Sequence, residues 1–141
     1  MPKAINISAH EAEEIQYLPN DTVLISINPT DGELFPLKIN REDARILTVR
    51  FDDVTDDKEY NGTIVKRKID YETCLKILDF INLNKDKNFV INCAMGVSRS
   101  AAICLYLHLQ HGHELKRRYW QTSNPNKYVL GSLFFYRYSQ K

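Results

Sequence analysis

Apolar positions along this chain follow two different periods, and the alternation between them predicts the order of elements. Residues 4–7 (Ala-Ile-Asn-Ile) predict a short strand. Ser8-Ala9-His10-Glu11 has the Ser-x-x-Glu pattern of a capping box, so a short helix through Ile15 follows. Residues 22–27 are rich in β-branched side chains and stop at Asn28-Pro29-Thr30-Asp31-Gly32, a strand and then a turn. Residues 45–51 predict a third strand, which runs into the acidic stretch Asp52-Asp53-Val54-Thr55-Asp56-Asp57. Between residues 58 and 68 the alternation is too weak to fix strands, although Asn61-Gly62 is a pair that turns hairpins.

Asp70 is placed to cap a helix in which Tyr71, Cys74, Leu75, Leu78 and Ile81 fall on one face. Residues 88–92 form a short apolar strand leading directly into Cys93. From residue 100 to 111 the chain is apolar almost all round, predicting a helix buried on most sides that Gly112 stops. Two more helices are expected, one near residues 114–120 and one from Asn126 to about Tyr138, with Val129, Leu130, Leu133 and Phe134 inward. Strands that alternate with helices and are apolar on both faces predict an α/β fold: a central, mainly parallel sheet of four to five strands with helices on both faces. No repeat, low-complexity tract or linker interrupts the chain, so residues 1–141 read as one domain.

Composition narrows the function classes. Nineteen basic residues against eighteen acidic ones give +1, so no global field draws the chain onto nucleic acid or membrane. No apolar stretch approaches the ~20 residues that span a bilayer, and residues 1–7 lack the apolar core of a secretory signal. Three widely spaced cysteines do not make a disulfide framework, and a reduced, cytoplasmic setting is expected. Each cysteine is then core filler, metal ligand or nucleophile.

One of them stands in an unusual context. Cys93-Ala94-Met95-Gly96-Val97-Ser98-Arg99-Ser100 lies between the strand at 88–92 and the helix at 100–111. Cys with Arg six positions later arises by chance in roughly one such chain in six, but adding Gly three after and Ser five and seven after lowers this to order 10⁻⁵. A loop from a strand's carboxyl end to a helix amino end turns successive N–H groups inward as an anion cradle. In that reading Ala94, Met95, Gly96, Val97, Ser98 and Arg99 bind a phosphate or sulfate. Gly96 permits the tight backbone and Arg99 adds a planar fork of donors. The same positive potential lowers the pKa of Cys93, favouring the nucleophilic thiolate. Cys74 and Cys104, each on an apolar helical face, read as core.

With this loop the chain resembles the cysteine-dependent protein tyrosine phosphatases, in particular their compact dual-specificity branch. Cys93, Gly96, Ser98, Arg99 and Ser100 match that branch's loop. Residues 4–15, the strand at 23–27 with Asn28-Pro29, and Phe51-Asp52-Asp53-Val54 are similar to small phosphatases of bacteria and bacterial viruses. Asn124-Pro125-Asn126 resembles the Pro-Asn before the last helix of many members. The resemblance implies a metal- and cofactor-independent phosphomonoester hydrolase that acts on a phosphorylated protein through a phosphocysteine on Cys93. Ser100 would donate its hydroxyl to the sulfur. The general acid would come from the loop after the third strand, where Asp52, Asp53, Asp56 and Asp57 all qualify; aligning residues 48–51 with the family's strand favours Asp53. The other three carboxylates are expected to face solvent. The family's His before the Cys is Asn92 here; it can supply an amide donor but no cationic form, so less lowering of the Cys93 pKa is expected.

Other readings stay open at this stage. The same loop serves phosphatases of RNA 5′ ends and of phosphoinositides, and a phosphate-binding module without turnover would keep the cradle. A rhodanese-type sulfurtransferase also uses a loop Cys, but without this Gly/Ser/Arg/Ser spacing. His108, His111 and His113 cluster at a helix end, where they read as favourable charge rather than as metal ligands. Lys66-Arg67-Lys68 and Lys116-Arg117-Arg118 read as solvated faces, the first able to attract acidic or phosphorylated substrates if it lies near the pocket.

Overall fold

The computed structural model describes residues 1–116 and 124–139. Among them the elements run β1 (Lys3–Ile7), α1 (Ala9–Glu13), β2 (Thr22–Asn28), β3 (Ile46–Arg50), β4 (Lys58–Tyr60), β5 (Thr63–Lys66), α2 (Tyr71–Leu83), β6 (Asn88–Asn92), α3 (Arg99–His111), β7 (Glu114–Leu115) and α4 (Lys127–Tyr136). Five strands form one sheet in the order β3-β2-β6-β1-β7, with every neighbouring pair parallel. This is the parallel α/β architecture that the alternating pattern predicts. β2 and β6 lie in the interior of the sheet, and all seven residues of β2 are buried, which is why its sequence is a continuous run without polar alternation.

The two faces of the sheet are covered unequally. On one side α2, α3 and α4 enclose the main core, built from Ile25, Ile27, Val49, Phe51, Ile91 and Cys93 of the sheet and Ile77, Ile81, Ile103, Leu107 and Leu133 of the helices. On the other a smaller cluster of Leu18, Leu24 and Ile46 packs with Ile15, Leu37, Ile39 and Val90 beside the five-residue α1. Local signals set the helix starts. Ser8 and Glu11 form the capping box, and the Asp70 carboxylate accepts the Thr73 N–H at 2.8 Å.

Two expectations change, and one stretch left open is resolved. Residues 114–115 are a strand, not the start of a helix: Gly112 ends α3 at φ 77°, and the chain returns along the open edge of β1, with Glu114 N donating to Pro2 O (2.9 Å) and Lys116 N to Ala4 O (3.0 Å). An unpaired sheet edge outweighs local helix propensity here. The rest of that expected helix, with Arg117 and Arg118, lies outside the described residues. Residues 58–66 do form a hairpin, turned by Asn61 (φ 51°) and Gly62 (φ 79°), both in the positive-φ region that a two-residue primed turn requires. Finally, the charged form expected of His111 is disfavoured where it sits. Burial, with His113 and Lys85 nearby, holds its pKa below the ordinary value. His113 is fully buried, its Nε2 3.0 Å from Lys87 O. No described helix is long and apolar enough to cross a membrane.

Candidate active site

β6 ends at Asn92 and α3 begins at Arg99, so residues 93–98 form the loop at the carboxyl end of a central strand, where open α/β sheets bind ligands. Four of the loop's six carbonyls accept hydrogen bonds from elements around the loop. Ala94 O accepts Ala9 N (3.1 Å), Gly96 O accepts Asn6 Nδ2 (2.6 Å), Val97 O accepts Asn124 N (2.7 Å) and Ser98 O accepts Asn126 N (3.1 Å). Among the described residues, none of the N–H groups of residues 94–98 donates to a backbone carbonyl. Fixing carbonyls outward leaves amides to face the loop interior, the arrangement of an anion nest. Ser98 precedes α3 without capping it, and α3 has no acidic residue in its first turn, so the positive end of its dipole is unspent.

Gly96 is required twice over. Its φ is 76°, and a Cβ there would lie 2.5 Å from Ile7 C and 2.7 Å from both Ile7 O and Ser8 N, all backbone atoms. The loop can therefore lie against the end of β1 only with glycine at this position.

Cys93 is 2% exposed, with its Sγ 3.2 Å from Ser100 Oγ. Burial alone would raise its pKa. The Ser100 hydroxyl and amide, the Arg99 charge and the Gly96 amide outweigh that and hold it below the ordinary thiol value. The other two cysteines behave oppositely: burial pushes Cys74 up to about 12 and raises Cys104 as well. Three buried thiols with one set of physics differ because only Cys93 has donors aimed at it.

Arg99 is buried, and its Nη1 donates to Phe51 O at 2.8 Å. Its Nε is buried with no acceptor among the described residues. One donor thus fixes the guanidinium to the end of β3, and another is left for a ligand. Met95 is 73% exposed at the loop's rim.

The acidic loop divides into distinct roles. Asp53 is exposed, and its Oδ1 accepts from Ser98 Oγ (2.8 Å) and Asn126 Nδ2 (2.9 Å). The side chain of Ser98 is therefore on Asp53, while its backbone belongs to the cradle. Asp52 departs from the expectation of a solvated carboxylate. It is buried, accepting from Thr30 N (3.2 Å), Thr30 Oγ1 (2.6 Å) and Arg67 N (2.8 Å). Burial raises its pKa, and these donors with Lys66 more than reverse that, leaving it below the ordinary carboxylate value. Asp52 binds the start of the acidic loop to the turn after β2 and to the end of the hairpin. Asp57 accepts Lys68 N (3.1 Å), and the exposed Asp56 lies 3.7 Å from Lys68 Nζ.

Asn92 does not supply the amide donor expected of it. It is fully buried at the end of β6, and neither its Oδ1 nor its Nδ2 has a partner among the described residues. Strand alternation turns it to the face opposite Cys93. What lowers the Cys93 pKa comes from Ser100, Arg99 and Gly96 instead.

Asn6 and Asn126 have roles the sequence reading did not assign. Asn6 holds the Gly96 carbonyl from β1. Asn126 caps α4 through Tyr128 N (3.0 Å) and Val129 N (3.1 Å), while its amide group holds Asp53 and Val54 O. Only the second carried a signal, the Asn-Pro-Asn stretch before a helix.

No family model matches the chain, and neither does any curated protein. Among solved structures, human DUSP28 is similar over 99% of this chain and 94% of its own, with a TM-score of 0.52 and 17% identity. That likeness concerns the fold: the chain has the architecture of a dual-specificity phosphatase, a central parallel five-stranded sheet flanked by helices.

Proposed function

We propose that the protein is a cytoplasmic phosphomonoester hydrolase, acting on phosphorylated protein through a phosphocysteine on Cys93. The observation that carries this reading is the contrast among the three cysteines: all are buried and free, and Cys93 alone is lowered toward thiolate, at a loop whose amides 94–98 donate to no backbone carbonyl among the described residues. Free buried thiols also suit a reducing compartment.

The chemistry follows from the placement. Loop amides and Arg99 hold the three non-bridging oxygens, over which charge is spread as the phosphorus–oxygen bond breaks. The Cys93 thiolate forms a bond to phosphorus as the leaving oxygen departs with a proton from Asp53. Water then attacks phosphorus, returning a proton to Asp53 and expelling the thiolate, which accepts a hydrogen bond from Ser100. The balance is ester plus water to alcohol plus phosphate, with no cofactor. Ser98 and Asn126 both hold Oδ1 of Asp53 and thereby orient Oδ2 as the atom that exchanges the proton.

The test is turnover of p-nitrophenyl phosphate and of phosphopeptides by the wild type, Cys93→Ser and Arg99→Lys, with rapid quench and mass spectrometry of the intact chain. The wild type should acquire one phosphoryl group on Cys93. Cys93→Ser should retain phosphate binding with no turnover, and Arg99→Lys should lose both binding and rate, because a point charge lacks the planar fork. Wild-type turnover that survives Cys93→Ser removes the proposal.

A further inference from the structure

The geometry points to a second anion subsite beside the proposed phosphate cradle, formed by Lys58 and Lys127, which selects phosphopeptides carrying an acidic residue next to the phosphorylated one. This inference rests on the function proposed above and names its substrate class.

A leaving group protonated by Asp53 must lie on the Asp53 side of the loop. The space there is a cleft of about 460 Å³ lined by Asp53, Val54, Thr55, Lys58, Ser98, Asn124, Pro125, Asn126 and Lys127. Two lysines thus face one carboxylate, and that carboxylate already holds Ser98 and Asn126.

Both lysines stand where the fold itself disfavours a cation. Lys127 is the first residue of α4, at the positive end of the helix dipole, and no acidic residue shares its first turn. Lys58 lies directly across the hairpin from Lys66, a like-charge cross-strand pair. Two carboxylates on the N-terminal side of Lys58 are used elsewhere: Asp56 lies 3.7 Å from Lys68 Nζ and Asp57 accepts Lys68 N. Neither Lys58 nor Lys127 has a carboxylate within ion-pair distance among the described residues. Each position costs stability in the free protein, and an anion in the cleft they share would offset both costs.

The lining also favours peptide over nucleic acid. Among the described residues it contains no aromatic ring on which a base could stack. Asp53 in the lining disfavours a long chain of phosphates, whereas one or two carboxylates beside a phosphorylated residue match two point charges.

The experiment compares kcat/KM for a phosphopeptide with Asp or Glu flanking the phosphorylated residue against the same peptide with Asn or Gln, in the wild type, Lys58→Gln, Lys127→Gln and the double variant. Each exposed charge pair contributes roughly a two- to fivefold preference. The wild-type ratio should therefore favour the acidic peptide by about tenfold, shrink in each single variant and approach one in the double variant. The wild-type preference should also fall as salt is raised. Turnover of p-nitrophenyl phosphate, which has no second anion, tests the parent reading separately, and binding of both peptides to Cys93→Ser tests the subsite without turnover. A wild-type ratio near one, a ratio unchanged in the double variant, or a preference for 5′-phosphorylated RNA over the acidic peptide overturns the subsite.

Discussion

Replacing Gly96 with Ala separates the two reasons for glycine in the cradle. The left-handed conformation at φ 76° costs a residue with a Cβ about 1–2 kcal/mol. The added carbon would also meet Ile7 C at 2.5 Å, so loop and strand must part by roughly 0.9 Å to reach the 3.4 Å of ordinary contact. That movement stretches two bonds that hold the loop, Asn6 Nδ2 to Gly96 O at 2.6 Å and Ala9 N to Ala94 O at 3.1 Å. Each contributes about 0.5–1.5 kcal/mol, which brings the total to about 2–5 kcal/mol. Gly112 is the control: its φ is 77°, but nothing lies within 4 Å of its Cβ position, so Gly112→Ala should cost only the conformational part. Urea unfolding followed by circular dichroism measures both. Gly96→Ala should be the more destabilised, and where it remains folded its turnover of p-nitrophenyl phosphate should fall by about 10²-fold, since the cradle has moved by about an ångström. If the two variants lose equal stability, the close approach of the loop to β1 contributes nothing and the argument fails.

Asp53→Asn should slow an alkyl or phenyl phosphate by roughly 10²- to 10⁴-fold while affecting p-nitrophenyl phosphate far less, and should remove the basic limb of the pH–rate profile; equal losses on all three would exclude Asp53 as the proton donor. Asp52→Ala should act on stability first, because it strips acceptors from Thr30 and Arg67, costing about 1–3 kcal/mol in chemical denaturation. Its lowered pKa means that its contribution is present above the unfolded carboxylate value near 3.9 and fades as pH falls through the lower folded one. His113 gives the same sign in a higher window. Burial lowers its pKa, so the unfolded chain binds the proton more readily and stability should decline as pH drops below about 6.5. A His113→Gln variant that keeps the full wild-type slope between pH 6.5 and 5 would assign that slope to other groups.

Strand and helix order was legible because each element's period is local: β2 and β6 are apolar runs, and α1, α2 and α4 each carry a cap within three residues of their start. The spacing of Cys93, Gly96, Ser98, Arg99 and Ser100 was legible for the same reason, since a strand–loop–helix cradle is one continuous stretch of chain. The partners of that stretch were not. Asn6 reaches Gly96 across 90 positions, Asn126 reaches Asp53 across 73, and Arg99 reaches Phe51 across 48. Asp52 and Asp53 are adjacent and chemically identical, yet one is buried on Thr30 and Arg67 and the other meets Ser98 and Asn126 at the cleft. Alignment of residues 48–51 with the resembled family favoured Asp53, but nothing local showed that Asp52 is buried, because its donors come from elements that only the packed sheet brings together. Residues 114–115 show the same limit in the backbone: their own pattern favours a helix, and the open edge of β1 makes them a strand. Local sequence determined where chemistry could be done, and the tertiary structure determined which side chains were available to do it, because backbone periodicity is a property of neighbours and hydrogen-bond partnership is a property of space.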